Sequence, residues 1–324
     1  MKILHLANTP LSNSPANIAS CQNYVGHEAR LLLANKTGRN KVFVGGETWK
    51  DKPMEEIASI FEWADVIHFH NFTWTQDIFR QHLPLQKIAR AKKFVVQFHS
   101  SRHAHEDFED TVNDPLFKGR KLVVAQYQPR EYPEAEWIVP NPLPLHEDRY
   151  RLIRKGKWGD CPPICVSFAP SNGHLKGWDY KGYDQLEPVM RHLAHWGAST
   201  DLILSTPYEE CLTRKSYAHI GIEEFFTGSY HLSLLEYMAL ECASFGHMDE
   251  LTRKALISVV GEDAFRQMPY LDITNTRDLI DGVRRLNSDL GDLKRIAQLS
   301  RLWIHAHWCP RVLMKIYDKV YESL

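Results

Sequence analysis

The chain reads as an α/β protein built from two Rossmann-like, doubly wound parallel-sheet domains facing across a cleft. Short apolar runs alternate with stretches of helical period along nearly the whole sequence, the pattern of parallel strands joined by right-handed crossovers. The alternation is interrupted once, by a proline-rich and basic stretch between Pro140 and Pro163, and then restarts. The length of 324 residues suits two domains at roughly 150 residues each.

The first half opens on an apolar strand at residues 2–7 (KILHLA). Residues 17–36 read as a helix, because Ile18, Cys21, Val25, Ala29 and Leu32 recur at helical spacing. Further strands are expected at 41–44 (KVFV), 66–70 (VIHFH), 94–98 (FVVQF), 122–125 (LVVA) and 137–139. Helices are expected around 55–63 and over 76–91, the second kinked near Pro84. The break carries Pro140, Pro142, Pro144, Pro162 and Pro163 with Arg149, Arg151, Arg154, Lys155 and Lys157, an interdomain connection with a solvated basic face. In the second half, strands are expected at 164–169 (ICVSFA), 202–205 (LILS) and 219–222. Helices are expected at 183–195, 208–217, 230–243 and 276–286, the last capped by Thr276. Pro310 suits the first position of a closing helix with Val312, Ile316, Val320 and Leu324 every fourth residue. The expected division is 1–148, 149–305, and a terminal helix at 306–324 that returns to the first domain.

Composition narrows the function. The chain is 44% hydrophobic, 24% charged and 11% aromatic, which excludes disorder. A net charge of -1, from 39 basic and 40 acidic residues, provides no global attraction to nucleic acid or membrane. No apolar stretch approaches the ~18 residues of a membrane span, and the start reads as a strand, not a signal peptide. The six cysteines are scattered without a framework, as in a reduced, cytoplasmic protein.

Ligands of open parallel sheets bind beyond the carboxyl ends of strands. Those positions here are Asn8, Asn13, Ser14, Pro15 and Asn17 after the first strand, then His70 and Asn71, then His99, Ser100 and Ser101. In the second half they are Ser171, Asn172 and Lys181-Gly182, then Gly228, Ser229 and Tyr230. The fingerprints GxGxxG and GxxxxGK[ST] are both absent, which argues against a nicotinamide enzyme and an ATPase. Asn17 either lines an anion-binding loop or caps the helix that follows. Gly228 and Ser229 are expected to open a helix whose free N–H groups face a diphosphate, with Glu236 about two turns inside. A carboxylate so placed accepts both hydroxyls of a ribose; the alternative is an amphipathic helix with a surface glutamate.

The segment GSYHLSLLEYMA resembles the EGFGLxxLEAMA segment of retaining GT-B glycosyltransferases, especially glycosyltransferase family 4. APSNGHLKGWDYKGYD resembles that family's loop ending in Lys-Gly, ADVIHFHN its "DVIHxH" strand, and FHSS the position of its histidine after the next strand. The ending RLWIHAHWCPRVLMKIYDKVYESL resembles the family's terminal crossover. The resemblance implies that Glu236 binds the nucleotide ribose, that Lys181 approaches the donor pyrophosphate, and that His99 contacts the donor sugar. Lys176-Gly177 competes with Lys181-Gly182 for that alignment. Ser171, Asn172, Lys176, Gly228, Ser229, Tyr230, His231 and Leu232 would complete the donor site, and Asn13, Asn17, His70 and Asn71 the acceptor side. Gly228 stands where the family has the first glutamate of its Glu-x7-Glu pair.

The implied activity is metal-independent transfer, with retention, from a UDP- or GDP-linked sugar to a glycan, lipid-linked or other small acceptor. No cofactor is expected and nucleic acid is disfavoured. The alternatives are a non-catalytic nucleotide-sugar-binding subunit and a sugar-nucleotide epimerase. Among seventeen histidines, His99, His103 and His105 with Glu106 or Asp107 read as a polar loop before a metal cluster. His70 is the expected cleft residue and His68 a satisfied buried one. Lys87, Arg90, Lys92 and Lys93 form a solvated face, or a peripheral contact with anionic lipid at the inner membrane face. Trp74 and Trp178 are placed to stack on a sugar.

Overall fold

The computed structural model describes residues 1–35, 45–50, 52–71, 92–102, 108–151, 157–159, 163–170 and 181–324. The expected strand at 41–44, the helix at 76–91, and Ser171, Asn172, Lys176, Trp74, Trp178 and residues 103–107 lie outside them. Two compact units emerge, Met1–Pro144 with Pro310–Leu324, and Leu145–Cys309.

The amino-terminal unit contains β1 (Lys2–Ala7), α1 (Ser14–Tyr24), β2 (Glu28–Leu33), β3 (Glu47–Thr48), α2 (Met54–Trp63), β4 (Val66–His70) and β5 (Lys93–Phe98). It continues with α3 (Phe108–Asn113), β6 (Lys121–Val124) and β7 (Trp137–Val139). The carboxy-terminal unit contains β8 (Cys165–Phe168), α4 (Tyr183–His195), β9 (Ser199–Leu202), α5 (Tyr208–Lys215), β10 (Ile220–Ile222), α6 (Leu232–Ala239) and β11 (Ala243–Gly246). It ends with α7 (Glu250–Val260), α8 (Glu262–Arg266), β12 (Tyr270–Asp272), α9 (Thr276–Ser288) and α10 (Leu290–His307). The closing helix α11 (Pro310–Glu322) belongs to the first unit.

The first sheet is parallel in the order β3-β2-β1-β4-β5-β6-β7, the second in the order β12-β11-β10-β8-β9. In each, the order reverses between two central strands, β1/β4 and β8/β10, and the crevice at such a switch point is where open α/β sheets bind ligands. Leu4, Leu6, Ile67, Phe69, Phe94, Val96 and Phe98 make one face of the first sheet's centre and form its apolar core with Ile57, Ile60 and Phe61 of α2. The period of two sends the other residues of these strands to the opposite face. There His5 pairs in register with His68, and His68 with Val95, while His70 lies beside Ala7 and Gln97. That face lies under α1 and α11, so its histidines are fully buried.

Several expected boundaries are corrected. The helix expected over 17–36 starts at Ser14 and stops at Tyr24, and β2 occupies its second half. Gly26, at φ +100°, turns the chain out of the helix while the His27 N–H donates to the Gln22 carbonyl. The edge strand expected at 202–205 lies earlier, in the polar run Ser199–Leu202, because pairing with β8 outweighs local hydrophobicity. The helix expected over 230–243 is shorter, and its last residue begins β11. Asn275, not Thr276, caps α9 by accepting the Asp278 N–H. No helix among the described residues is long and apolar enough to cross a membrane.

Candidate functional site

In the carboxy-terminal unit the site is built around α6. Gly228 and Ser229 lie in the turn before this helix and do not open it; His231 is its N-cap and no side chain caps it. Glu236 is 4% exposed, and both its oxygens are held. Oε1 accepts the Tyr208 hydroxyl at 2.7 Å and Oε2 the Lys215 ammonium at 2.6 Å. It is therefore not a surface glutamate. Lys215 also donates to Ser233 Oγ at 2.8 Å and stands over the Tyr237 ring. Burial works against its charge, but the Glu236 carboxylate overrides that and raises its pKa. Tyr150 donates to Tyr208 in turn, so the carboxylate on α6 is held by two side chains of α5, one of them braced by Tyr150. Each carboxylate oxygen retains acceptor capacity beyond one bond.

Gly228 has φ +67°, and a Cβ there would stand 2.9 Å from Asp249 Oδ2. A glutamate at this position would be strained in backbone, and Asp249, which caps α7, would have to shift to admit its Cβ. Glu224, fully buried, organises the turn instead. Its carboxylate accepts the N–H groups of Phe226 and Thr227, the Thr227 hydroxyl and His231 Nε2. Burial alone would raise its pKa; the bond and charge of His231 and the Thr227 contacts bring it down to about 2. The Ser229 hydroxyl donates to the Tyr230 carbonyl, Tyr230 packs edge-on to Trp308, and Leu232 is half-buried. The side chains of Ser229 and Tyr230 thus serve packing, and what this segment offers a ligand is backbone.

Lys181 precedes α4 in the left-handed region, at φ 45°. Its ammonium lies 3.8 Å from Glu223 Oε1, with both residues buried. Glu223 directly follows β10, at the switch point, and its Oε2 has no hydrogen-bond partner.

In the amino-terminal unit the structure gathers His70, Asn71, His99 and Ser14. Asn71, left-handed at φ 51°, accepts the His99 N–H and donates to Ser100 Oγ, tying the turns after β4 and β5 together. His99 Nε2 meets His70 Nδ1 at 2.8 Å and His99 Nδ1 meets Ser14 Oγ at 3.0 Å. His70 is wholly buried, contrary to its expected exposure to a ligand, and His68, expected to be satisfied, keeps an unpartnered Nε2. Asn13 is the left-handed N-cap of α1 but makes no side-chain cap bond. Asn17 is inside that helix, buried with neither amide atom partnered, so the expected cap is not formed. Lys92 and Lys93 donate to the carbonyls of Glu62 and Tyr321, which binds these two amines to the fold.

His5, His68 and His70 bring ligand atoms within 4.8 Å of one another. Yet His68 and His70 stack with rings 12° apart, and parallel rings do not aim lone pairs at one metal ion. Burial holds His5 down to about 4; burial and then the nearby His5 hold His99 down to about 3, and His68 and His70 are also lowered by burial first. These rings are neutral when folded but protonate near 6.5 when unfolded. Stability is therefore complete above pH 6.5 and falls as pH drops toward 3, by about 1.4 kcal/mol per pH unit for each histidine. Urea midpoints measured against pH should show a slope of more than one proton between pH 6 and 4; a flat profile would contradict neutral burial.

No protein-family model and no curated protein sequence matches the chain. Solved structures do match. An alpha-glucosyltransferase in complex with UDP-glucose and DNA containing an abasic site superposes with TM-score 0.65 and 12% identity, over 99% of each chain. Anabaena HepE in complex with UDP-glucose gives 0.58 and 13% over the whole of both chains. WaaG, a glycosyltransferase involved in lipopolysaccharide biosynthesis, gives 0.53 and 12%, covering 98% of this chain and 99% of its own.

The chain has the GT-B fold. Each GT-B half carries polar residues beyond its switch-point strands, Asn71 after β4 in one and Glu223 after β10 in the other. Sequence reasoning found Glu236, Lys181 and His99 in these halves and missed Lys215, Tyr208, Glu223 and Glu224. The pair Glu223-Glu224, directly after an apolar strand, was a signal available in the sequence; Lys215 and Tyr208 left none, because they meet Glu236 only through the packing of α5 on α6.

Proposed function

We propose that the chain is a metal-independent, retaining glycosyltransferase that takes a UDP-linked sugar and passes the sugar to a hydroxyl of a glycan, lipid-linked or other small acceptor. The observation that carries this reading is Glu236, a buried carboxylate fixed by Lys215 and Tyr208 on the helix after the turn at Gly228, within a GT-B chain. The UDP preference is supported by the two UDP-glucose-bound neighbours.

In this reading Glu236 accepts the ribose hydroxyls. The β-phosphate rests against the uncapped start of α6 and the Lys181 ammonium, both of which favour negative charge. The acceptor oxygen attacks the anomeric carbon on the face the diphosphate leaves. The bond from that carbon to the phosphate oxygen breaks as the new glycosidic bond forms, and the acceptor proton passes to the departing phosphate. Lys181 supplies the charge that a metal ion supplies elsewhere, and Glu223 holds it in place. No protein nucleophile is assigned, and His99, its ring nitrogens already bonded to His70 and Ser14, meets the transferred sugar through the ring edge.

The test is release of free UDP from a panel of sugar nucleotides in the presence of a chelator. Lys181→Ala should lower turnover by roughly 100- to 1,000-fold with a much smaller effect on UDP binding, because its contribution grows with charge in the transition state. Unchanged turnover removes Lys181 from the mechanism. The conformation of Gly228, which leaves no room for the family's first carboxylate, favours a second reading as a non-catalytic nucleotide-sugar-binding subunit. Tight UDP binding with no release of UDP from any sugar nucleotide would select it.

A further inference from the structure

The polar face under α1 and α11 contains a continuous chain of hydrogen bonds of which the proposed reaction uses only His99. His99 Nδ1 meets Ser14 Oγ, and Ser14 meets Asn141 Oδ1 at 2.6 Å. In the other direction His99 Nε2 meets His70 Nδ1 at 2.8 Å and His70 Nε2 meets His5 Nδ1 at 2.9 Å. His5 Nε2 meets the Gln22 amide at 2.6 Å; Gln22 meets the Tyr321 hydroxyl, and Tyr321 meets His68 Nδ1 at 2.7 Å. The rings are joined head to tail, Nδ1 of one to Nε2 of the next.

A neutral imidazole has one donor and one acceptor nitrogen. Neutral rings joined in this way must therefore all carry the proton on the same kind of nitrogen, and the groups at the ends choose which. With protons on Nε2 the chain runs from Asn141 toward Tyr321, and the His68 Nε2–H meets the Gln97 amide, whose oxygen is already taken by the Tyr317 hydroxyl. With protons on Nδ1 it runs from Tyr321 toward Asn141: Ser14 donates to Asn141 Oδ1, Gln22 turns its NH2 toward His5, and the unpartnered His68 nitrogen is a bare acceptor. A buried orphan donor is the rarer outcome, and which way an amide faces is set by its network. The second direction is favoured.

We propose that His70, His5 and Gln22 are positioning residues that lock His99 as a neutral imidazole with its proton on Nδ1. The consequence for the proposed function, on whose placement of His99 at the sugar this rests, is that the histidine never competes as a base for the acceptor proton. The titratable groups that face the chain among the described residues include His68, Cys21, Tyr317 and Tyr321, with the Asp318 carboxylate acting on Tyr321 and Lys93 on the Tyr321 carbonyl. Burial pushes the Tyr317 and Tyr321 hydroxyls up, so both stay neutral at neutral pH, and Asp318 is paired with His27 and reaches the chain only at Tyr321, beyond Gln22 from the three rings. The depressed values of His5 and His99 agree.

The experiment is two-bond 1H–15N correlation on the full-length chain labelled with 15N-histidine, from pH 5.5 to 8.5, with ring signals assigned by substitution. His5, His70 and His99 should all show the Nδ1–H tautomer and no titration. Gln22→Leu, which touches His5 and is two rings from His99, should turn the His99 signal into a mixture of tautomers. Different tautomers among the three rings, a midpoint near 6.5 for His99, or stoichiometric zinc bound by the purified chain would each overturn the proposal. So would a folded Gln22→Leu protein whose His99 signal is unchanged; if that variant does not fold, the wild-type tautomers alone decide. The readout needs no substrate, so it fails or succeeds independently of UDP release.

Discussion

Replacing Glu236 by alanine should abolish useful donor binding. A carboxylate that accepts two ribose hydroxyls makes two charge-assisted bonds worth about 1.5–3 kcal/mol each, so UDP affinity should fall by roughly 100-fold or more by calorimetry. The alanine variant has a second effect, because it strands the Lys215 ammonium in the protein interior. Glu236→Gln also leaves Lys215 without its counter-charge, but it keeps the shape and polar atoms beside the ammonium, so it should be less destabilised than the alanine variant and still lose most of the affinity. A glutamine variant that binds UDP as tightly as the parent would show that the carboxylate serves only the ion pair.

Lys215→Met should be the most destabilising single change at the site. Breaking a buried pair from one side leaves an uncompensated charge and costs about 3–5 kcal/mol. For a unit of this size that is a fall in melting temperature of roughly 10 °C. The double variant Lys215→Met/Glu236→Gln should recover much of the loss, since removing both charges also removes the desolvation penalty, yet it should not regain UDP binding. Recovery of stability without recovery of binding identifies Lys215 as the group that keeps an ionised Glu236 in the interior. A Lys215→Met protein as stable as the parent would mean that water reaches the pair and that its burial is not what holds the carboxylate.

Much of the architecture was legible because it depends on period. VIHFH, FVVQF and WIV are strands within a residue of where their patterns end, and the helix at Tyr183–His195 matches its pattern at both ends. Polar strands were not legible: Ser199–Leu202 carries no apolar signal and is a strand because β8 pairs with it. The helical spacing of Ala29 and Leu32 was misleading, since a few apolar residues fit either period until Gly26 breaks the chain between them. At the site, Glu236 was found from its segment, but its partners lie 21 and 28 residues away in sequence. No local pattern links residues that only the seating of one helix on another brings together.

The strand–helix alternation, the two-domain plan and many of the residues beyond the central strands were written in the sequence, because alternation and turn chemistry act between near neighbours. Which of those residues are buried, which are paired, and how His5, His68 and His70 of two adjacent strands come to share one line of hydrogen bonds with His99, just after a third, was decided only by the tertiary structure. Burial sets the charge of a group and packing sets its partner, and both depend on segments far apart in the chain.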